Sequence, residues 1–240
     1  MPIAIIDVSS ATVLGDSAFA RYIRCGGASP YAVTLPDAGS QSGRTLGIMI
    51  SQDMTNLVSL TGASGQLIDG ENIRIMWAGE TALLMSDGVG WTKLHGKSIP
   101  MQCAMRLNAP FSVTGGAAAA VIPWNQVDID NTGLMADPVT NHGINIVRKG
   151  TYQLSLSVLA TSLAANAEVL TQTKFSGVAL FADQEHGVSG QNVATANSQP
   201  VLVLTLGRFI CEITSSANCD AFGDPNGNSS YYSAIEVPSW

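Results

Sequence analysis

Along most of the chain, apolar residues recur at every second position in short runs that end at turn-forming residues. Tyr31, Val33 and Leu35 form one such run before Pro36, and Leu46, Ile48 and Ile50 form another. A period of two places one side of a strand in a core and the other side outside it. Because no long segment keeps a helical period, this pattern predicts a protein that is nearly all β.

Two β modules are predicted, separated by a stretch rich in Pro, Gly and Ala. We expect a first module over residues 19–97, a linker over residues 98–121 and a second module over residues 122–240. Residues 1–18 are expected to form a docking arm. In that arm Ile3, Ile5 and Val8 would add as a strand to a neighbouring chain or a larger assembly, whereas a frayed terminus is the alternative.

The sequence predicts the secondary structure of three segments of the second module. Residues 160–170 (ATSLAANAEVL) are either a helix or a loop between two strands. Residues 175–181 (FSGVALF) are expected to form one strand that passes through glycine. Residues 201–206 (VLVLTL) are expected to form a strand that is apolar on both faces, and this pattern is typical of a strand between a core and an interface.

Charged residues make up only 12% of the chain, although 46% is hydrophobic. This charged share is about half of the usual value. A chain with so few charges is expected to cover much of its surface with partner subunits. A surface made mainly of Ser, Thr, Asn and Gln is the alternative.

Several partner classes are disfavoured by the charge and hydropathy patterns. The net charge is −7 and no Lys/Arg cluster occurs, which argues against nucleic-acid binding. No apolar run approaches the roughly 18 residues of a membrane span, so no membrane insertion is expected. The first residues lack the basic start of a signal peptide, and we therefore expect synthesis in a cytosol.

The four cysteines show no metal-binding spacing. Cys25, Cys103, Cys211 and Cys219 contain no Cys-x-x-Cys pair, so a zinc site is not predicted. Cys211 and Cys219 are close enough in sequence to bridge the end of a hairpin. Synthesis in a cytosol favours free thiols instead.

The most specific family pattern lies at residues 122–156 (IPWNQVDIDNTGLMADPVTNHGINIVRKGTYQLSL). An Asp137-Pro138 loop precedes an apolar strand, a Gly150 corner and a strand that opens on Tyr152. This order resembles the first half of a C1q/TNF-type jelly roll, and residues 231–237 resemble the closing aromatic strand of that family. The resemblance implies a jelly-roll sandwich that forms a homotrimer and presents a binding surface.

The resemblance also implies an apolar flank that three copies would close around an axis. The trimer-interface candidates are Leu202, Leu204, Leu206, Tyr152 and Tyr232. Each buried aliphatic side chain would contribute roughly 1.5–3 kcal/mol to the assembly.

The first module resembles a small trimeric β module of bacteriophage fibre and tail proteins. The matching pieces are Thr34-Leu35-Pro36, Gly43-Arg44-Thr45, Ile68-Asp69-Gly70, and Ser86-Asp87-Gly88 ahead of Trp91. The resemblance implies that each chain supplies a few strands to a three-fold prism.

Together the two resemblances imply a non-enzymatic, homotrimeric virion structural protein at the phage surface, made in the host cytoplasm. Capsid decoration or a head fibre with an outward-facing jelly-roll head is the favoured role. Its partners would be copies of itself, major capsid or tail proteins, and a host cell-surface glycan or protein. The alternatives are a short tail fibre or receptor-binding tip, and a cellular C1q-like lectin or adaptor trimer.

Few residues suggest a chemical site. His95, His142 and His186 do not have the spacing of a metal-ligand set, and no Gly-x-Ser-x-Gly motif occurs, so no enzyme activity is predicted. Asp128 and Asp130 lie two apart on a predicted strand and could supply oxygen ligands to calcium. A solvated acidic strand is the favoured alternative, and no other cofactor is expected.

A polar turn cluster begins at Gly223 and ends in two tyrosines. Asn226, Asn228 and Tyr231 are candidates for receptor contact, because exposed tyrosine and amide side chains suit carbohydrate or protein surfaces. An ordinary hairpin loop before an aromatic core strand is the alternative.

Overall fold

The computed structural model describes residues 4–19, 21–187, 192–225 and 230–237. The chain divides into two compact units, residues 1–99 and residues 100–240. Within the described part, helical geometry is limited to three 3-10 turns at Asp16–Ala18, Ala38–Gln41 and Ala63–Gly65. The predicted all-β class is confirmed.

The first unit contains nine strands in two sheets. They are β1 (Ile5–Val8), β2 (Thr12–Val13), β3 (Tyr22–Cys25), β4 (Tyr31–Thr34), β5 (Thr45–Ile50), β6 (Val58–Thr61), β7 (Ile73–Met76), β8 (Thr81–Ser86) and β9 (Trp91–His95). One sheet has the order β1-β3-β5-β8-β9, and the other has the order β2-β4-β6-β7.

The first six strands of the first unit alternate between its two sheets. β1, β3 and β5 pair in parallel in one sheet, and β2, β4 and β6 pair in parallel in the other. This arrangement is a short β-solenoid of three coils. β7 then pairs antiparallel with β6, and β8 pairs antiparallel with β5.

The apolar core of this unit is enclosed within one chain. Ile23 and Ile48 stack in one sheet and Val33 and Leu60 stack in the other, all without solvent exposure. The alternation predicted for residues 31–35 and 46–50 is therefore confirmed. These strands pair within the chain, and the three-fold prism that the fibre resemblance implies stays a prediction.

The predicted docking arm pairs with its own chain, and the docking of Ile3, Ile5 and Val8 to another chain stays a prediction. β1 pairs with β3 of its own chain, and Val8 is buried in the core of the unit. Ile5 is on the outer side of β1 and is 53% exposed, whereas Ile3 falls outside the described residues. Residues 5–13 thus form the first coil of the solenoid, because Ile6 and Val8 bury more apolar surface there than a free arm would.

Turn chemistry follows the predicted dipeptides. Asp69 and Gly70 both have positive φ, 50° and 81°, in a two-residue turn between Ile68 and Glu71. The Asp87 carboxylate accepts hydrogen bonds from the backbone N–H groups of Val89 and Gly90, which lower the pKa of that carboxyl. Both are short-range features that sequence can specify.

The described residues of the second unit form thirteen strands. They are β10 (Gln102–Arg106), β11 (Phe111–Val113), β12 (Ala120–Val121), β13 (Gln126–Asp130), β14 (Ala136–Asp137), β15 (Gly143–Ile146), β16 (Gly150–Thr161), β17 (Glu168–Phe175), β18 (Val178–His186), β19 (Val193–Val203), β20 (Gly207–Ser215), β21 (Cys219–Ala221) and β22 (Tyr231–Val237). The front sheet has the order β11-β21-β16-β22-β10-β13, with β19 also paired to β16. The back sheet has the order β14-β15-β20-β17-β18, with β12 also paired to β20.

The chain alternates between these two sheets in the manner of a jelly roll. β16 lies in the front sheet, β17 and β18 in the back sheet, β19 in the front sheet, β20 in the back sheet and β22 in the front sheet. Trp124, Tyr152, Phe209 and Tyr232 are fully buried in this unit. The predicted jelly-roll sandwich is confirmed.

Most of the predicted linker belongs to the second unit. β10 pairs with both β13 and β22, and β12 pairs with β20. The division between the units falls after Ile99 instead of at residue 121. Sequence missed this because the Pro, Gly and Ala residues that suggest a linker here occur between short strands.

Three local predictions are settled by the pairing. Residues 162–167 connect β16 to β17, so the loop alternative for residues 160–170 is right. Residues 175–181 are not one strand, because Ser176 and Gly177 have positive φ and form a turn between β17 and β18. The strand predicted at residues 201–206 ends at Val203.

The alternation of Ile73, Ile75 and Trp77 with Asn72, Arg74 and Met76 predicts that the first set faces inward, but β7 has the other orientation. Ile73 is 51% exposed, whereas Met76 is buried in the core. The alternation along β7 is correct but its phase is shifted by one residue, which reverses the faces of a strand.

Candidate assembly surface

The outer face of the front sheet is defined by the register of β22, β16 and β19. Inward positions along β16 and β22, such as Leu154, Leu156 and Ala234, are buried, so their neighbours in sequence point outward. The outward rows across the three strands are Val237 with Thr151 and Leu202; Ile235 with Gln153 and Pro200; Ser233 with Ser155 and Ser198; and Tyr231 with Ser157 and Ala196. We call this surface the front face.

The front face carries apolar side chains and no charge along these three fully described strands. Ile235 and Val237 are each 44% exposed, and Leu202 is 64% exposed. Glu236, the one ionisable residue of β22 besides Tyr231 and Tyr232, points inward. A sheet face of this composition can be buried against another protein without desolvating ions.

The middle of the front face is polar but neutral. The Gln153 Nε2 donates to Ser198 Oγ at 2.8 Å, and Ser155 Oγ lies 2.9 Å from Ser198 Oγ. These groups hydrogen-bond to one another across two strands, which lowers the cost of covering them.

The outer face of the back sheet has the opposite character. Lys174 Nζ lies 2.6 Å from Glu212 Oε2, and Arg208 Nε donates to Asn145 Oδ1 at 2.8 Å. Arg208 also lies 3.7 Å from Asp137. Along β22, β16 and β19 this contrast favours the front face as the buried contact, and the Arg106–Asp128 pair borders that face beside Tyr231.

The three predicted leucines are all exposed. Leu202 lies at the end of β19, and Leu204 and Leu206 lie in the connection to β20, where they are 68% and 58% exposed. They adjoin the β17–β18 turn, because Gly207 packs against Phe175 and Ser176. The prediction that these leucines contact other copies stays a prediction.

The two predicted interface tyrosines are corrected. Tyr152 and Tyr232 have no exposed surface within a single chain, so neither has any left for a second copy. Tyr152 Oη donates to the carbonyl of Arg148 at 2.8 Å, and Trp124 packs 5.8 Å from Tyr232. Burial raises the pKa of both phenols. The residues of β22 that do lie on the front face include Tyr231 and Ile235, because odd-numbered positions of this strand point outward.

A buried ion pair lies beneath the front face. The Arg148 guanidinium donates to both carboxylate oxygens of Glu236, with Nε to Oε1 at 2.9 Å. Glu236 Oε2 also accepts from the backbone N–H of Met101 at 3.0 Å. Sequence reasoning missed this pair, since the two residues lie far apart in sequence and no local motif marks either.

The predicted calcium ligands are engaged with the protein. Asp130 Oδ1 accepts from the backbone N–H and hydroxyl of Thr132 and from the N–H of Gly133. Its Oδ2 accepts from the N–H groups of Met135 and Ala136. Asp128 Oδ1 lies 3.1 Å from Arg106 Nε. Asp130 therefore organises the loop between β13 and β14, a role that sequence did not predict.

The receptor-contact candidates are only partly described. Asn226 and Asn228 lie outside the described residues. Tyr231 is 47% exposed and belongs to the front face beside Ser157. It is therefore also a candidate for contact with another copy.

The histidine, cysteine and acidic side chains in the described part of the chain do not cluster. There, no three or more His, Cys, Asp or Glu residues lie close enough to hold a metal ion. His186 Nδ1 lies 3.8 Å from Glu168 Oε1, and His142 occupies a loop with φ 51°. No helix in this part has the length and hydropathy needed to span a membrane.

All four cysteines are buried free thiols, as expected. Burial raises the pKa of Cys25 to about 11 and that of Cys103 and Cys211 to about 12. Thiols of this kind have little reactive thiolate at neutral pH.

The comparisons with known proteins concern structure alone. No protein-family model and no curated protein matches the sequence. Eiger TNF from S. frugiperda is similar at 10% identity and a TM-score of 0.43, covering 59% of this chain and 94% of that chain. The globular domain of zebrafish complement 1qA is similar at 7% identity and a TM-score of 0.43, covering 58% and 99%.

Murine APRIL at pH 8.5 is similar at 11% identity and a TM-score of 0.43, covering 58% of this chain and all of that chain. Similarity at these levels indicates no function. The order of the strands in the two sheets carries the jelly-roll assignment.

Proposed function

We propose that this chain is a non-enzymatic structural protein that self-associates as a homotrimer through its second unit. The observation that supports the proposal is the uncharged, partly apolar front face, opposite a back face with paired charges. Burial of each of the side chains Ile235, Val237 and Leu202 would contribute up to roughly 1.5–3 kcal/mol to the free energy of association. Three-fold closure buries such faces without leaving a growing edge.

The finer proposal is a bacteriophage surface protein, namely a capsid decoration or head-fibre protein with the jelly roll as an outward attachment head. It is motivated by the fibre-type sequence pieces around Leu35, Asp69 and Asp87. In this role three weak sites on one trimer gain avidity for a host glycan or protein. The first unit would attach to a major capsid or tail protein.

Genome context separates this finer proposal from its alternatives. Neighbouring capsid genes support the decoration role, and neighbouring tail genes support a tail fibre or receptor-binding tip. A gene surrounded by cellular secretion or adaptor genes would instead favour a C1q-like lectin and contradict the virion role.

The self-association is tested by mass measurement in solution. We expect light scattering at micromolar concentration to give the mass of three copies of the 25.0 kDa chain. Ile235→Asp should reduce this mass to that of one folded chain, since three carboxylates would enter the contact without partners. If the β19–β20 connection that holds Leu204 and Leu206 belongs to the contact, Leu204→Asp should also reduce the mass to that of one chain.

Val121→Asp is the matched control. Val121 is 37% exposed and pairs with Glu212 on the back sheet, so the same apolar-to-acidic change there should leave the trimer intact. A wild-type chain with the mass of one copy would contradict the proposal. Unchanged trimers of Ile235→Asp would remove the front face from the contact.

A further inference from the structure

The two ends of the solenoid in the first unit differ in how they are capped. At one end, β8 covers β5 and β7 covers β6 with antiparallel strands. At the other end, the described residues place β1 and β2 outermost, and each pairs along one edge only. A stack of coils normally needs a cap at both ends, because an uncovered coil exposes backbone and core.

The backbone of β1 leaves hydrogen-bonding groups along its outer edge. Tyr22 N–H donates to the carbonyl of Ala4 at 3.1 Å, and Gly26 N–H donates to the carbonyl of Val8 at 2.9 Å. Because strand residues alternate, the even-numbered residues of β1 face β3, while Ile5 and Asp7 direct their N–H and C=O groups away from it. These outward groups can receive another strand.

The side chains at this end are also incompletely covered. Val8 and Leu14 remain 6% exposed in the first coil, whereas Ile23 in the second coil is fully buried. On the outer side, Ile5 is 53% exposed and Val13 is 77% exposed. A further strand would complete the burial of the core positions and cover part of Ile5.

The charge on β1 specifies what that strand should carry. Asp7 accepts two hydrogen bonds from the Arg24 guanidinium, at 2.6 and 3.0 Å, from the β3 side. The hydrogen bond from Arg24 lowers the pKa of Asp7, so the carboxylate is ionised at neutral pH. The Asp7 side chain is 66% exposed, so a basic residue on an added strand could share the carboxylate with Arg24.

We propose that the outer edge of β1 is a docking site for an extended strand of a partner protein. The strand adds parallel to β1, places apolar side chains beside Ile6 and Val8, and sets a Lys or Arg beside Asp7. Addition of a strand to an exposed edge is a general mode of recognition. A second copy of this chain is a poorer occupant of the β1 edge, because its own Asp7 and its net charge of −7 would repel the Asp7 carboxylate.

The chain itself supplies a suitable probe. β3 already stacks on the inner edge of β1, with Ile23 beside Ile6 and Arg24 beside Asp7. A synthetic peptide that copies residues 21–27, with Cys25→Ser, carries the same pattern. We expect this peptide to slow deuterium uptake by residues 4–9 of the full chain, measured by mass spectrometry at peptide concentrations up to about 1 mM.

Two variants of the full chain test the geometry. Ile5→Pro removes an outward N–H without touching the β1–β3 ladder and should weaken peptide binding at least about tenfold. Asp7→Asn should weaken it about threefold, and a peptide with Arg24→Glu should bind more weakly still. Glu185→Gln, the same charge change in the second unit, should have no effect.

Two outcomes would overturn the proposal. The first is no protection of residues 4–9 by the free peptide, nor by the same peptide joined to the N-terminus through a Gly/Ser linker. The second is concentration-dependent association of the wild-type chain that Ile5→Pro abolishes, since the occupant would then be another copy. A monomeric second unit would contradict only the function proposed above, because the β1 edge belongs to the first unit.

Discussion

At the scale of single residues, the Arg148–Glu236 pair is the most buried among the ion pairs of the described residues. Both side chains are about 10% exposed, and Glu236 also holds the backbone of Met101 at the start of the second unit. Gly150 lies against the same carboxylate, with a φ of 159°. The pair therefore ties β22 to the entry of β10 and to the corner before β16.

Glu236→Ala should lower the free energy of unfolding of the second unit by about 3–5 kcal/mol, because it leaves the Arg148 charge buried without its partner. Chemical denaturation followed by tryptophan fluorescence measures the change. The double variant Arg148→Met with Glu236→Leu should recover part of the loss. An equal loss in the double variant would show that packing, and not the unpaired charge, accounts for the effect.

At the scale of elements, the loop between β13 and β14 depends on one carboxylate. Asp130 accepts four backbone N–H groups and one hydroxyl, from Thr132 to Ala136. This loop leads into β14, the edge strand of the back sheet, which pairs with β15. The sequence predicted a solvated acidic strand at Asp130 and also allowed calcium, whereas the hydrogen bonds give the carboxylate a structural role.

Asp130→Ala should destabilise the second unit by about 1–3 kcal/mol, because several loop donors lose their acceptor. Asp130→Asn keeps one acceptor oxygen and should cost less. Thermal unfolding with and without millimolar calcium measures both effects. A rise in the wild-type melting temperature with calcium, lost in Asp130→Asn, would instead support a metal at this position.

At the scale of the whole molecule, two units with separate strand systems follow one another in the chain. The second begins at Pro100, and its front sheet needs β10 between β22 and β13. Met105, which faces inward on β10, is fully buried. The boundary of the unit is thus set by a strand within the predicted linker.

A fragment of residues 100–240 should fold alone, whereas a fragment of residues 122–240 should not. The shorter fragment lacks β10, β11 and β12. Loss of β10 would expose the inward side chains of β22, including Tyr232, which lies beside Met105. Near-ultraviolet circular dichroism and hydrogen exchange compare the two. Native-like spectra from the shorter fragment would show that β10 is dispensable and that the sequence boundary is adequate.

Much of the fold could be read from local pattern. Alternation predicted the buried residues of β5, and the closing strand at Tyr231–Val237 has the bounds that the family resemblance implied. Pattern failed where two strands are joined by a tight turn, as at Ser176-Gly177. It also failed in phase for β7, since alternation alone does not say which face is inward.

The all-β class, the positions of most turns and the low charge follow from the amino-acid sequence, because each depends on local stereochemistry or on composition. Long-range packing places Tyr232 inside and Ile235 outside, brings Glu236 to Arg148, and sets β1 in a coil of its own chain. Those outcomes depend on which strands pair and in what register, which is set by packing between residues far apart in sequence.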